Sequence, residues 1–463
     1  MLPDEVLLEI FGFNVVEAVR SLKDGWSINF LSDKQTWQTL VHVCRRWRSV
    51  VFGSPRRLKL KLFCTTKTPV RDRLDVWPEL PLVIAGDVDN VDNIIGLLEC
   101  SDRINQINLQ RYRKDILEAM EVSFPELTFL ALSSDETEPL LPLPDSFLGG
   151  SVPRLQSLHL NHIPFPGLPK LLLSATDLTV LRLDNIPHSG YFSPEAMVAC
   201  LSLLTNLDVL CLHFQSSQPL PDRESRRTRP PKRTVLPVLT HFRFRGVCEY
   251  LEYLVACVDS PRLNSFHITF FNDIVFNTPQ FTQFISRTPT LEAFDKAIIF
   301  LSDHDATIRL SLKTSGDEKL NVAISCRVLD WQVSFLEQVC TSFLPALSAL
   351  EDLYISEHPY RQPVGEDNID SALWLELLRP FTTVKDLFLS EKIALRVVPA
   401  LQELVGGRTI EVLPVLQNIF IEGVQPSGPV QEGVGKFVAA RQVISHSIAV
   451  SQWDRDPSRM YDL

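Results

Sequence analysis

The sequence lacks several features that would each assign it to a broad class of protein. It has no apolar run near the roughly 18 residues that cross a bilayer, so no membrane-spanning helix is predicted. Its formal net charge of −11 over 463 residues leaves no general positive surface for nucleic acid or for acidic membranes. Its N-terminus carries Asp4 and Glu5, where a signal or transit peptide would be basic. We therefore expect neither a nucleic-acid partner nor a membrane partner.

Closely spaced cysteine pairs are also missing. The chain has nine cysteines, an odd number, and no two of them have the C-x-x-C spacing. Cys200, Cys257 and Cys340 lie in apolar helical patterns, which indicates free, buried thiols in a reducing compartment. We expect a soluble protein of the cytoplasm, the nucleus or both.

Catalytic and metal-binding motifs are missing as well: there is no G-x-S-x-G, H-E-x-x-H or G-x-G-x-x-G. Gly433–Lys436 lacks the earlier glycine of a phosphate loop, and Asp87–Asp92 lacks the glycine of a calcium loop. His159 and His162 have no cysteine or carboxylate nearby in the sequence to complete a zinc site, so both are predicted to be surface residues. We expect no enzyme activity, no metal and no cofactor.

What the chain does contain is a recurring apolar phrase with the spacing L-x-x-L-x-L, best preserved at Leu155, Leu158 and Leu160. The last two leucines share one face of a strand, and stacked copies would bury a continuous core. Ten copies keep this spacing, beginning at Ile104, Leu127, Leu155, Leu178, Leu207, Leu239, Leu263, Leu350, Val384 and Leu416.

Helical patterns lie between the copies, for example at Leu251, Leu254 and Val258. Strand followed by helix, many times over, predicts an α/β fold: a leucine-rich-repeat solenoid with a concave parallel sheet and helices on the convex side. Ile163 and Ile186 stand where the regular pattern has asparagine or cysteine, so we expect an irregular solenoid.

The wide gap between two copies, from Leu291 to Leu350, contains two alternating runs at 307–312 and 320–324. They flank Ser315–Asp317, and this arrangement predicts a β-hairpin.

A short helical segment precedes the repeats. Pro3 with Asp4 and Glu5 predicts a first helix, Ser32–Gln35 predicts the start of another, and Gly53 predicts its end. So short a unit buries too little surface to be stable alone. We expect it to pack on the next domain or on a partner.

This segment resembles an F-box in two motifs, Leu2-Pro3-x-Glu5-x-Leu7-Leu8-x-Ile10-Phe11 and Leu40-x-x-Val43-Cys44-Arg45-x-Trp47-Arg48-x-Val50. The continuation is similar to F-box-like proteins of mushroom-forming fungi, as seen in Phe52-Gly53-Ser54-Pro55-Arg56-Arg57-Leu58. The resemblance implies docking to the S-phase kinase-associated adaptor of SCF-type cullin-RING ubiquitin ligases. The docking surface that it implies consists of Leu2, Pro3, Ile10, Val43, Cys44 and Trp47.

Two functions follow from these observations. In the first, the protein is the substrate-recognition subunit of such a ligase, and the repeats bind the target. In the second, it is an interaction scaffold without a ligase role, and the N-terminal helices only cap the solenoid. Helical periodicity alone favours the cap, whereas the Leu-Pro pair and the tryptophan motif favour the F-box.

The sequence predicts three regions: an F-box-like helical domain at 1–55, a repeat solenoid at 56–427, and a C-terminal cap and tail at 428–463. Within the solenoid, the basic, proline-bearing segment 215–234 is predicted to be a disordered loop, with a docking site for an acidic partner as the alternative. A helix around Val434–Ala449 is predicted to close the last repeat.

The residues between the leucines of each phrase are expected to project from the concave sheet. We predict that this row binds an unknown protein substrate, because arginine and tyrosine often anchor interfaces. The alternative is that they are ordinary exposed sheet residues. The predicted substrate-binding residues are His159, Arg182, Arg243, His267, Tyr354 and Phe388, and Cys211 and Asp295 are placed in the same row.

Overall fold

Two units make up the chain in the structure, which is a computed structural model. The first unit comprises residues 1–182 and 189–191, and the second comprises 183–188 and 192–463. The structure describes residues 2–14, 36–55, 57–58, 60–65, 74, 78–87, 91–111, 113–134, 141–216, 233–271, 278–313, 318–342, 347–357, 370–404, 410–423, 428–443 and 446–454. Most of the predicted basic loop and the predicted helix start at Ser32–Gln35 lie outside these ranges.

Helices open the first unit: α1 (Asp4–Asn14), α2 (Thr36–Val43) and α3 (Arg45–Gly53). They share a small core that includes Phe11 and Val51, both fully buried. The helical segment predicted from the sequence is thus present, and α3 ends at the predicted glycine.

Parallel strands continue the first unit, and each pairs with the next in chain order. They are β1 (Leu62–Thr65), β2 (Leu82–Asp87), β3 (Ile104–Gln110), β4 (Phe129–Ser133) and β5 (Ser157–Asn161). The helices between and after them are α4 (Val91–Leu98), α5 (Lys114–Ala119) and α6 (Leu168–Leu172). The division between the units passes through β6 (Val180–Ile186).

The second unit repeats the strand–helix alternation. Its strands are β7 (Val209–Phe214), β8 (Thr234–Val235), β9 (His241–Gly246), β10 (Val258–Asp259), β11 (Ser265–Phe271), β12 (Lys296–Leu301), β13 (Asp305–Ser311), β14 (Glu318–Ser325), β15 (Asp352–Glu357), β16 (Asp386–Leu389), β17 (Asn418–Glu422) and β18 (Ala449–Trp453). Its helices are α7 (Pro194–Leu201), α8 (Cys248–Cys257), α9 (Pro279–Ser286), α10 (Leu329–Ser342), α11 (Ser371–Leu378), α12 (Glu391–Gln402) and α13 (Pro429–Gln442). The main sheet of this unit has the order β7-β9-β11-β14-β13-β12-β15-β16-β17-β18, and β8 and β10 form a separate small ribbon.

One strand of the second unit runs against the others. The predicted hairpin is confirmed, because β13 and β14 pair antiparallel, but β12 also pairs antiparallel with β13 and was not predicted. The outer members of this three-stranded insertion pair parallel with their neighbours β11 and β15. The predicted α/β fold with a parallel sheet is therefore confirmed, with β13 as a local exception.

The recurring phrase builds the core. All thirty apolar positions of the ten copies are at most 4% exposed. Neighbouring copies stack in register, as in the pairing of Leu130 with Leu158 and of Leu132 with Leu160. Burying a leucine side chain stabilises the fold by about 1.5–3 kcal/mol, so this ladder is the main source of cohesion in each unit.

Three details differ from or complete the sequence predictions. His162 is buried, so its prediction as a surface residue is wrong; its backbone has a positive φ of 57°, and this turn draws the side chain inward. The predicted C-terminal helix instead spans Pro429–Gln442, because proline fits the first turn, and a strand follows it. Free, buried thiols are confirmed for Cys200, Cys257 and Cys340.

Within the described residues, no helix is both long and apolar enough to cross a membrane.

Candidate binding surfaces

The first candidate surface lies on the N-terminal helices. Leu2, Val6 and Ile10 follow one another at intervals of four residues, so they form one stripe along α1 and the residues just before it. These three side chains are 51%, 41% and 41% exposed, and Val43 at the end of α2 is 58% exposed. An apolar stripe open to solvent is typical of a surface that another protein covers.

The remaining predicted docking residues surround the junction of α2 and α3. Pro3 and Cys44 are exposed, and Trp47 is half-buried. The Trp47 ring lies 4.8 Å from the ring of Phe11, so part of its surface already belongs to the helical core. Cys44 caps α3, since its Sγ accepts a hydrogen bond from the Trp47 backbone N–H at 3.4 Å.

Arg46 fixes how α1 meets α3. Its guanidinium donates to Asp4 Oδ1 at 2.7 Å and to the backbone carbonyl of Leu2. Arg48 similarly donates through Nε to the Val41 carbonyl at 3.0 Å, which ties α3 to α2. Exposed ion pairs add at most about 1 kcal/mol, so these contacts orient the stripe more than they stabilise it. The sequence predicted the stripe without Val6, although its four-residue spacing from Leu2 was visible.

The helices also contact the strands that follow them in the first unit. Trp37 Nε1 donates to the Lys61 carbonyl at 3.1 Å, and Arg57 pairs with Glu9. The helices that carry the candidate docking residues are therefore tied to the segment that leads into β1.

The second candidate surface is the face of each sheet that carries the partly exposed alternate residues, which we call the open face. In the first unit, His159 is half-buried there beside Ala131 of β4. Its imidazole lies 2.8 Å from Ser157 Oγ and 5.4 Å from the ring of Phe129. Arg182, half-buried on β6, is the last residue of that unit before the division.

In the second unit, the strand register does bring the predicted residues Arg243, His267, Tyr354 and Phe388 into one row. Consecutive partners across neighbouring strands are Cys211, Arg243, His267, Asn321, Arg309, Ile298, Tyr354, Phe388, Phe420 and Ser451. Asp295 is not in the row, because it precedes β12 and Ile298 takes that position. Asn321, Arg309 and Ile298 were missed because they belong to the antiparallel insertion, which has no copy of the apolar phrase.

One end of this row is basic. Burial, together with the positive charges of Arg243 and Arg309, lowers the pKa of His267 to about 4. His267 is therefore neutral at pH 7. Arg309 forms an ion pair with Glu318 at 2.6 Å.

The other end of the row is aromatic. The rings of Tyr354 and Phe388 stack at 4.1 Å, and those of Phe388 and Phe420 stack at 4.5 Å. Trp453 of β18 meets Tyr354 edge-on at 5.8 Å, and Lys296 Nζ lies 4.9 Å from the centre of the Tyr354 ring. Burial raises the pKa of the Tyr354 hydroxyl to about 12, so it stays protonated and can donate a hydrogen bond.

Within the described ranges, no group of three or more histidine, cysteine, aspartate or glutamate side chains could hold a metal ion.

Comparison with known proteins assigns one part of the chain. Residues 1–56 match the F-box-like family. No curated protein matches the sequence. Among solved structures, the leucine-rich repeat-containing protein LegL7 from Legionella pneumophila matches at 11% identity over 82% of this chain and 97% of that chain, with a TM-score of 0.27. That likeness is too weak to carry an argument, so the assignment of the fold rests on the strands and helices described above.

Proposed function

We propose that this protein is the substrate-recognition subunit of an SCF-type cullin-RING ubiquitin ligase. The N-terminal helices dock on the S-phase kinase-associated adaptor, and the open face of the sheet binds the target protein. The observation that carries this proposal is the F-box-like match over residues 1–56, which coincides with the exposed apolar stripe. The fungal affiliation and a place in the cytoplasm or nucleus remain predictions from the sequence.

The stripe has the chemistry of a docking surface. Leu2, Ile10 and Val43 expose between 41% and 58% of their surface. Covering such side chains releases about 25 cal/mol for each Å² of apolar area removed from water. Trp47 adds a large amphipathic side chain beside them, and tryptophan is among the residues that most often dominate binding energy.

In this proposal the protein carries out no bond chemistry. It binds the adaptor through one surface and the target through another, so its contribution to ubiquitin transfer is to raise the local concentration of the target.

The alternative is a scaffold whose helices only cap the sheet. The hydrogen bond from Trp37 to the Lys61 carbonyl and the pair of Arg57 with Glu9 favour that role. The side chains of the exposed stripe take no part in these two contacts, so capping and docking are compatible.

Co-purification with the recombinant adaptor separates the two functions. The test variant is I10E/V43E, which places one carboxylate on the stripe and one at the exposed end of α2 without altering a buried side chain. The matched control is L203E/V235E, whose native side chains are 45% and 51% exposed on other elements. An unpaired carboxylate in an apolar interface is costly, so the test variant should bind the adaptor at least about tenfold more weakly.

The control variant should bind like wild type, and all proteins should have the same melting temperature. If wild type does not co-purify with the adaptor, or if both variants bind equally well, the docking function is wrong and the scaffold alternative stands.

A further inference from the structure

Among the residues that the structure describes, a group of basic side chains on the open face of the second unit has few acidic partners. We call Arg243 and Arg245 of β9, His267 of β11 and Arg309 of β13 the cationic cluster. In the strand register, Arg243 lies opposite His267, His267 lies opposite Asn321, and Asn321 lies opposite Arg309. These positions follow one another on consecutive strands about 4.8 Å apart, so Arg243 and Arg309 lie about 14 Å from each other, and one extended ligand could contact both.

The two arginines of β9 are the uncompensated members. Among the described residues, neither Arg243 nor Arg245 forms an ion pair with an acidic side chain, whereas Arg309 pairs with Glu318 and His213 pairs with Asp184. Within those same ranges, the Nε of Arg245 is buried and has no hydrogen-bond partner. Its guanidinium lies 5.3 Å from the centre of the Phe271 ring, which holds the side chain against the sheet.

Repulsion between the two arginines favours the binding of an anion beside them. Two positive charges stand about 6.6 Å apart along one strand, since both point to the same face at a two-residue interval. The positive charges of Arg243 and Arg309 also lower the pKa of His267, in the same direction as its burial, which is the larger cause. A bound carboxylate or phosphate would supply the missing counter-charge and accept charge-assisted hydrogen bonds from both arginines.

The shape and surroundings of the cluster indicate the kind of molecule. The open face here is lined by strands, and Thr269 and Asn321 add neutral hydrogen-bonding groups between the charges. The carboxylates of Glu318 and Asp184 stand at its sides, where they would repel the continuous phosphate backbone of a nucleic acid. A short anionic group on a peptide fits better than a polyanion.

We propose that the cationic cluster binds an anionic group on an extended segment of the target protein, either acidic side chains or a phosphorylated side chain. This inference rests on the proposed function, because it names the class of target that the open face takes. Arg243 and Arg245 are the residues that contact the anion, and the aromatic end of the row contacts flanking residues of the same segment.

Fluorescence anisotropy with the purified full-length chain tests this directly. The probes are three pools of fluorescein-labelled peptides with the same randomised flanks and a central pair of phosphoserines, glutamates or serines. The test variant is R243Q/R245Q. The matched control is R262Q/R327Q, which removes the same charge from two exposed arginines that do not lie on a strand.

Wild type should bind an anionic pool and not the serine pool, and R243Q/R245Q should bind it about tenfold or more weakly, as expected when charge-assisted hydrogen bonds are lost. The control should stay within about twofold of wild type, because an exposed charge away from the site acts only through screened Coulomb forces. Preference for phosphoserine over glutamate identifies the anion as phosphate, and equal binding identifies it as any acidic group.

Three results would overturn the proposal: no binding of either anionic pool, equal weakening in both variants, or a single-stranded oligonucleotide that displaces the peptides at lower concentration than they bind. The assay contains no adaptor. Its failure alongside intact adaptor binding would therefore remove the anion site alone, and loss of adaptor binding alongside a positive assay would remove the ligase function alone.

Discussion

Replacing Phe388 tests whether the aromatic end of the open face is structural or is free to bind a target. The ring is sandwiched between Tyr354 at 4.1 Å and Phe420 at 4.5 Å, and Trp453 meets it edge-on at 5.6 Å. Phe388→Ala removes all three ring contacts at once. Phe388→Leu keeps most of the apolar area and removes only the aromatic geometry.

The expected magnitude follows from these contacts. Each aromatic pair contributes about 0.5–1.5 kcal/mol beyond its buried area. A fully buried phenylalanine costs about 3–5 kcal/mol when truncated to alanine, and Phe388 is only half-buried, so its own burial counts for less. Phe388→Ala should therefore lower the free energy of unfolding by about 2–4 kcal/mol and Phe388→Leu by about 1–2 kcal/mol.

Hydrogen exchange of the backbone amides of β15, β16 and β17 is the suitable measurement. A global unfolding curve is less suitable, because a chain of two units need not unfold in a single transition. Local opening free energies report the stability of the affected strands directly. Leu395→Ala on α12 serves as the control, since Leu395 is 51% exposed and its truncation should change stability by less than about 0.5 kcal/mol.

A Phe388→Ala variant within about 0.5 kcal/mol of wild type would refute this reasoning. The stack would then contribute nothing to folding, and the predicted role of Tyr354 and Phe388 in binding would be their only explanation. The expected loss would instead mean that the rings form a fixed platform, whose faces are already occupied and whose edges remain for a target.

Two further predictions concern charged groups in the second unit. The pKa of His267 is lowered from 6.5 to about 4, so the stability that its neutral form provides is complete above pH 6.5 and is lost as the pH falls towards 4, by up to about 3 kcal/mol. The melting temperature of His267→Asn should therefore fall less than that of wild type between pH 7.5 and pH 4.5. An equal fall would contradict the lowered pKa of His267. The charges that lower this pKa beside burial are those of Arg243, Arg309, His241 and His213. Arg441 is fully buried and donates to the carbonyls of Val412 and Leu413, so Arg441→Met should destabilise α13 by about 2–4 kcal/mol, as measured by hydrogen exchange of its backbone amides. A smaller loss in Arg441→Lys would show that the positive charge matters, and unchanged exchange in Arg441→Met would show that these hydrogen bonds do not stabilise the helix.

The sequence was sufficient where burial and periodicity agree. Nine of the ten copies place an apolar residue just before a strand and two more on its covered face, and in the copy at Ile104 the first residue begins the strand itself; all of these residues are buried. Alternation of this kind is typical of a strand with one covered face and one open face, so the pattern predicts both the strands and the side that each strand buries.

Strands that break this condition were missed. β12 reads Lys-Ala-Ile-Ile-Phe-Leu, and its last five residues are all buried, because Arg309 and Trp453 cover the open side of Ile298 and Phe300. A strand covered on both faces shows no alternation. β18 fails for the opposite reason: nearly all of it is exposed, and only its backbone pairing with β17 makes it a strand.

The candidate sites divide in the same way. The docking residues could be named from a family resemblance, whereas the row on the open face depends on register, which the sequence alone does not contain. A shift of one residue in any strand would move every side chain to the other face. Asp295 was wrongly placed in the row because β12 to β14 lack a full copy of the apolar phrase, and without a copy the sequence does not indicate the register of these strands.

The covered and open faces of the sheets can be substituted separately. Because the apolar phrase is buried on the covered face, substituting an open-face residue such as Arg243 removes none of the apolar side chains of the phrase. The stripe and Val43 belong to the N-terminal helices, which have their own small core around Phe11. The stripe and the cationic cluster belong to different units, so the effects of substitutions in them on stability should add within about 0.5 kcal/mol. A combined variant that deviates from this sum would show that the stabilities of the two units are coupled.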